Sequence, residues 1–374
     1  QSHALSFFHL SSPDLLLGMD ADPNERHILG IAASHPDRAR DGISLRKFGQ
    51  QIIERLSGKR IHPEWVVPGG VSAALTEETR SAILADLPQC LDMTRKTLDW
   101  YRDAFGVFEE EIETFANYPG MFMGMLDENN HVDLYQGALR LVDADRKVVR
   151  EGMNAHDFAA SIGEKVLPYS YLKTPYYLPE GDEKGTYRVG PLARLNACDG
   201  LGTPMANDEL ENFRKLAPDG GAVLSSFHYH YARLIEILFG LEKVQALLED
   251  DDCMDPNVRA AAGPNRGVGI GISEAPRGTL MHHYEVDGDG LVTRANLIIA
   301  TGNNNDAKNR GITQAARKFV HGDALTEGAL NRVEAVIRCF DPCLSCSTHA
   351  LGQMPLRVEL HDHEGTTLDV AVRD

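Results

Sequence analysis

Near its C-terminal end the chain reads Asp341-Pro342-Cys343-Leu344-Ser345-Cys346-Ser347-Thr348-His349. Two cysteines separated by two residues can aim both sulfurs at one metal ion. Pro342 has no amide N–H and restricts the residue before it, so a helix arriving from the N-terminal side must stop here. Asp341 and His349 bracket the pair with two further polar side chains. Thiolate pairs suit soft or borderline metals, among them zinc, nickel, copper and iron–sulfur clusters. From the residues alone three readings stay open: half of a zinc site, a redox pair, or a pair with no metal role. The first of these, or any larger thiolate centre, requires a packed body that presents two sulfurs to one point.

The composition can supply that body. The chain has 374 residues, 43% hydrophobic and 25% charged, enough for one large domain or two ordinary ones. A net charge of −18 argues against nucleic-acid binding, which needs a basic stripe along the phosphate backbone. No apolar run approaches the ~20 residues of a transmembrane helix, and no signal peptide is recognisable. Six cysteines with one close-spaced pair read as a reduced, cytoplasmic protein.

The pattern along the chain is mainly helical. Residues 1–10 read as a buried apolar helix that breaks near Ser12-Pro13-Asp14. Residues 44–57 and 76–118 carry amphipathic spacing, the second broken or kinked near Pro88. Residues 122–149 read as antiparallel strands with tight turns, and 167–177 as irregular. Helices are expected over 207–216, 225–249, 307–320 and 327–340, the last delivering the cysteine motif. The glycines at 267, 269 and 271 suggest a strand or loop that lets backbone approach a buried site. They do not form a dinucleotide fingerprint. Residues 280–299 read as a hairpin turning at Asp287-Gly288-Asp289-Gly290. His228 and His230 are two apart and face different ways on a helix, which makes them structural. His361-Asp362-His363 reads as a solvated turn.

The string DPCLSCSTH resembles the C-terminal signature of the [NiFe] hydrogenase large subunit. Glu274-Ala275-Pro276-Arg277-Gly278-Thr279-Leu280-Met281-His282 resembles that family's EAPRG block, and Ala300-Thr301 falls where the family has a Pro-Ser/Thr turn facing the iron. The Tyr187–Arg194 and Pro168–Lys173 blocks are similar to the soluble, NAD-reducing members. The resemblance covers essentially the whole chain. It implies an α+β, mainly α fold with a long-helix core and peripheral antiparallel strands. It implies nickel held by four cysteine sulfurs, two of them shared with an iron that carries CO and cyanide. Cys343 is expected as a terminal nickel ligand, Cys346 as a nickel–iron bridge and His349 as the ligand of a Mg2+-type ion. Arg277 and Asp341 join Cys343 as expected catalytic residues. Arg277 would be a fixed cation beside dihydrogen or a base, although a guanidinium is a poor base in water. Either Glu274 or Asp341 would be its ionic partner. Glu274, Pro276, His282, Ala300 and Thr301 are expected around the pocket, with Thr301 donating to a cyanide.

The same resemblance implies reversible heterolytic cleavage of dihydrogen. Electrons would pass through a small iron–sulfur subunit to NAD on a flavin-bearing diaphorase partner, with no NAD site on this chain. A maturation endopeptidase would cut after His349, making residues 1–349 the working domain and 350–374 a removable extension. The family's other two nickel cysteines form a CGxC pair that this sequence does not contain, so an N-terminal segment carrying it is expected to precede Gln1. A coenzyme F420-reducing hydrogenase is the nearest alternative. A zinc-binding structural relative of the complex I quinone-site subunit is the non-catalytic one.

Overall fold

The Tyr229–Glu249 helix is apolar around most of its circumference, and such a helix can only be central. Tyr229, Tyr231, Ala232, Leu234, Ile235, Leu238 and Phe239 are all buried on it. In the computed structural model, which describes residues 1–261, 263, 266–347 and 356–373, this helix runs against the amphipathic Glu77–Ala104 helix. Thr76 caps the latter by accepting from the Thr79 amide at 3.2 Å, which satisfies one of the donors a helix start leaves open. The Pro36–Ser57 and Ser2–Leu17 segments complete the bundle.

Two local expectations about helix breaks are corrected. Ser12-Pro13-Asp14 does not end the first helix. Leu5–Ser11 is wound as a π-helix and Ser12–Leu17 continues as α-helix to Gly18. The wider turn leaves carbonyls that no i+4 amide claims, and the Ser12 hydroxyl donates to Phe8 O at 2.6 Å, so the proline at 13 needs no donor of its own. Of the break or kink expected at Pro88, the break does not occur, since Pro88 lies inside the continuous Glu77–Ala104 element. The packing that buries Ile83, Leu87, Cys90, Met93 and Leu98 outweighs the single hydrogen bond a proline removes.

Strands lie at the periphery. Met121–Leu126, Ala138–Val142 and Val148–Met153 form an antiparallel meander, extended on its other edge by Tyr187–Arg188 in parallel. A second sheet orders Val292–Ile298, Gly278–Val286 and Val268–Ala275 side by side. The hairpin turn at Asp287 is the expected one: its carboxylate accepts from the amides of Asp289 and Leu291 at 2.9 Å. The glycine-rich segment is a strand, but it brings no backbone against a buried site. A Cβ added at Gly269 or Gly271 would meet nothing within 4 Å. Part of the stretch expected to be irregular is also ordered as a strand, Thr174–Tyr177 paired with Ile162–Lys165.

Asn305–Phe319 and Glu327–Cys339 are helices, as the periodicity predicts. The tail forms a hairpin of Leu356–His361 and Thr367–Arg373, tied to the body where Asp369 accepts from the Leu325 amide at 2.8 Å. His361-Asp362-His363 enters its turn, with the Asp362 carboxylate accepting from the amides of Glu364 and Thr366. No helix among the described residues is long and apolar enough to cross a membrane.

Candidate metal centre

The Glu327–Cys339 helix is held at its far end by buried charge. Asp14 accepts from Arg338 at 2.9–3.0 Å and from the Asn331 amide group at 2.9 Å, and Arg233 donates to Cys339 O. The chain then turns at Asp341, whose φ is +49°. That left-handed conformation is uncommon outside glycine and better tolerated by aspartate than by most residues. The helix ends just before Pro342, as its missing N–H requires.

Arg277 closes the turn from outside. It is the second residue of the tight Pro276–Arg277 connection between two antiparallel strands. Its Nε donates to Asp341 O at 2.6 Å and an Nη to Asp341 Oδ1 at 3.2 Å. The contact resolves which carboxylate pairs with Arg277: it is Asp341. Glu274 belongs elsewhere, to Arg194. One further contact ties the cysteine segment down: the Cys343 amide donates to Thr301 Oγ1 at 3.0 Å. Thr301 is buried on the short Ala300–Asn303 helix, and its hydroxyl hydrogen remains to donate elsewhere. Asn303 and Asn304 brace this helix. Asn303 accepts from the Tyr187 hydroxyl at 2.6 Å and donates to Thr279 O at 2.8 Å, and Asn304 accepts from the Val189 amide at 2.9 Å.

Cys343 is half-buried and Cys346 exposed. Their Cα atoms are 5.4 Å apart, and one turn brings their two sulfurs together. The pair lies within a single turn and staples no two elements together, and a shared metal requires the same arrangement. Cys90, Cys198, Cys253 and Cys339 are free. Among the described residues no three metal-binding side chains converge, and His349 lies outside them.

Thus Arg277, Asp341, Cys343, Cys346 and Thr301 come together, with Ala300 beside Thr301 and Pro276 beside Arg277. His282 meets Tyr284 through its Nδ1 and through its ring, and its buried Nε2 has no partner among the described residues. His228 and His230 are buried in the bundle, where burial lowers both, His228 to about 4. That fits the structural role expected for them.

Beneath the Arg277 hairpin Glu274 joins a group of charges, Arg194, Glu236 and His3, to which sequence reading assigned no role. Arg194, 1% exposed, donates to both oxygens of Glu236 at 2.6 and 2.7 Å, and to Glu274 Oε2 at 2.5 Å. Glu236 also meets His3 Nε2 at 2.7 Å. Burial pushes the Glu236 carboxyl up, but Arg194 and His3 pull it down further, to about 2. For Glu274 burial prevails over Arg194 and Thr279, and its carboxyl is raised. The available signal was charge inside a largely apolar helix, at Arg233, Glu236 and Glu242, where unpaired charge is almost never found.

The donor set fits the nickel–iron centre that the resemblance implies. Two sulfurs issue from one turn, and a guanidinium and a hydroxyl face the same segment. Three buried polar atoms nearby, Asp341 Oδ2 and Arg233 Nε and Nη1, find no partner among the described residues. Burial lowers Arg233 even with Asp341 close by. Buried polar atoms of this kind ordinarily have partners, and a metal centre with polar ligands would supply them.

Known proteins resemble the chain over nearly its whole length. The beta subunit of the NAD-reducing hydrogenase HoxS of Cupriavidus necator is 39% identical over this whole chain and 78% of its own length. The matching polypeptide of the F420-non-reducing hydrogenase vhc of Methanococcus voltae is 38% identical, over 98% of this chain and 78% of its own. The crystal structure of an NAD+-reducing [NiFe]-hydrogenase in the H2-reduced state superposes with a TM-score of 0.88 at 41% identity, covering 93% of this chain and 76% of that one. The Ni-Fe-Se hydrogenase of D. vulgaris Hildenborough, at 19% identity and a TM-score of 0.70, shares the fold. Residues 107–349 match the nickel-dependent hydrogenase family, and on these grounds the chain belongs to that family, as a hydrogenase large subunit.

Proposed function

We propose that this chain catalyses the reversible heterolytic cleavage of dihydrogen and that its electrons leave through a small iron–sulfur subunit to NAD on a flavin-bearing partner. The observation that carries the reading is the Arg277–Asp341 pair, whose carboxylate lies two residues from Cys343. Cys343 and Cys346 would be the residues of this chain that hold the nickel–iron centre. Bound nickel and iron supply the point at which the H–H bond is polarised and its electron pair is collected. The proton released goes to Cys343 Sγ. Arg277 stands by as a fixed cation: Asp341 grips the fork at two of its nitrogens, so little reorganisation is needed when charge develops. In the same reading, Pro276 and Ala300 would line the pocket of the iron's CO and cyanide ligands, and Thr301 would donate its hydroxyl to a cyanide. His349 holds a Mg2+-type ion. Residues 350–374 are removed by a maturation endopeptidase, and the protein works in the cytoplasm.

The test is to purify the chain with its partner subunits from its own operon and measure metal content and hydrogen-dependent NAD+ reduction together. Nickel at one per chain, iron in excess of one because the partner clusters contribute to it, and NAD+ reduced under hydrogen are the expected result. Zinc at unit stoichiometry and no hydrogen uptake would leave a structural metal protein. Nickel and iron with hydrogen uptake, but no reduction of NAD+, would keep the chemistry and reject the acceptor.

A further inference from the structure

The tip that carries Arg277 sits in a socket made by one short stretch of chain, Tyr187–Arg188 followed by the Pro191–Ala197 helix. On one side the fit is backbone to backbone. Gly190 has φ +92°, and a Cβ on it would stand 2.9 Å from Arg277 O. Gly278 has φ +133°, and a Cβ on it would stand 2.2 Å from Val189 Cγ2. Glycine is required at both positions, for conformation and for space. Val189 is itself fixed, with its carbonyl accepting from the Tyr229 hydroxyl at 2.7 Å and its amide donating to Asn304.

On the other side is Arg194, one helical turn from Gly190. Besides Glu274 Oε2, its guanidinium donates to Ala275 O at 3.1 Å and to Pro276 O at 3.2 Å. Three consecutive residues leading into Arg277 are therefore tied to one planar fork. The remaining donors go to Glu236, and Thr279 and the Met125 amide satisfy the other oxygen of Glu274. A buried ion pair is weak evidence for stability, because well-packed apolar side chains often serve as well. No apolar side chain, however, can hold two backbone carbonyls.

We propose that Arg194 is a positioning residue for Arg277: with Gly190 it forms the socket that aims the Arg277 guanidinium at Asp341 and the cysteine turn. The proposal rests on the role given to Arg277 above. Lysine at position 194 would keep the charge that balances Glu236 and Glu274 but would act as a single mobile point, without the fork.

The assembled holoenzyme is compared as wild type, Arg194→Lys, Arg277→Lys and the double variant. A displacement of about 1 Å at a reacting group can cost ~100-fold in rate, so Arg194→Lys is expected to lower turnover ~10- to 100-fold with nickel and iron per chain unchanged. In the Arg277→Lys background it should add less than about twofold, since nothing is left to aim. Independently of turnover, deuterium uptake in a peptide spanning 274–281 should rise ~10-fold in Arg194→Lys, while a peptide from 327–339 stays as in the wild type. An equal loss in both backgrounds would make Arg194 merely structural, and unchanged exchange at the tip would remove the clamp. Full turnover in Arg277→Lys would instead sink the role of Arg277, and the exchange data would still judge the socket. If Arg194→Lys does not fold, the charge-matched pair Arg194→Gln with Glu236→Gln takes its place in all comparisons.

Discussion

The hairpin tip at Arg277 and the turn from Asp341 to Ser347 meet at Asp341, yet they are anchored in different ways. The tip rests on buried charge, with Arg194, Glu236 and Glu274 all less than a tenth exposed and three successive residues before Arg277 held by one guanidinium. The cysteine turn is fixed where it leaves the helix and at the Cys343 amide, and beyond that Leu344 and Cys346 lie exposed. The difference teaches a division of labour. The arm that contributes a permanent charge is set in advance by the fold. The arm that contributes sulfurs runs out towards the surface, so its final geometry is open to being set by the metal it holds.

The sharpest way to break this contrast is at the sulfurs. Cys343→Ala and Cys346→Ala should each abolish nickel retention, and Cys346→Ala should leave the thermal midpoint close to wild type, because Cys346 is exposed and substitutions at exposed sites rarely move stability by more than ~0.5 kcal/mol. Nickel and iron per chain, measured beside a melting curve, decide it. Full nickel occupancy in either variant would remove that cysteine from the metal shell.

The opposite pattern is expected under the hairpin. Glu236→Ala leaves Arg194 with one carboxylate and His3 with none, and removing one partner of a buried pair costs roughly 3–5 kcal/mol. The pH dependence sharpens the point. Glu236 is held at about 2, below its ordinary value of 4.5, so it stabilises the fold above pH 4.5 and the benefit is lost as pH falls from 4.5 towards 2. Glu274 is raised and acts in the opposite sense, costing stability as pH rises past 4.5. Replacing Glu236 by glutamine should therefore flatten the acid limb of a stability–pH profile below 4.5. An unaltered limb would mean that the clamp carries no net charge effect.

At the junction of the two arms, Arg277→Lys should keep both metals and lose about 100-fold in turnover. A donor aimed at developing charge contributes on that order, and lysine cannot span Asp341 O and Oδ1 together. Metal content unchanged with turnover unchanged would reduce Arg277 to a fastener for the Asp341 turn.

How much of this the sequence disclosed depends on the range of the interaction. The cysteine turn, the proline that ends its helix and the Asp287 hairpin are local, and each is legible from residues a few positions apart. The alternative partners for Arg277, Glu274 and Asp341, could be named but not ranked, since choosing between three and 64 positions of separation needs the fold. Arg194 stands 42 residues from Glu236 and 80 from Glu274, and nothing periodic connects them. Glu274 and Arg194 fell in separate family-like blocks, and the only trace of Glu236 was charge in apolar surroundings. The π-wound start and the uninterrupted helix at Pro88 were illegible for a related reason: propensity argues for a break, and burial in the bundle overrides it.

The smallest effect belongs to Thr301, which tests whether the cysteine turn has any anchorage of its own beyond Asp341. Thr301 Oγ1 accepts from the Cys343 amide. Thr301→Val is close in size and removes the acceptor, leaving a half-buried N–H unmet at a cost of ~1–2 kcal/mol. Thr301→Ser keeps the oxygen and should behave as wild type in metal content. If the hydroxyl also donates to an iron ligand, as proposed, valine should shift the infrared bands of the diatomics while serine should leave them close to wild type. A valine variant with the bands unmoved and the melting point lowered would confine Thr301 to holding the backbone. One with neither changed would show that the turn is positioned by Asp341 and the metal alone.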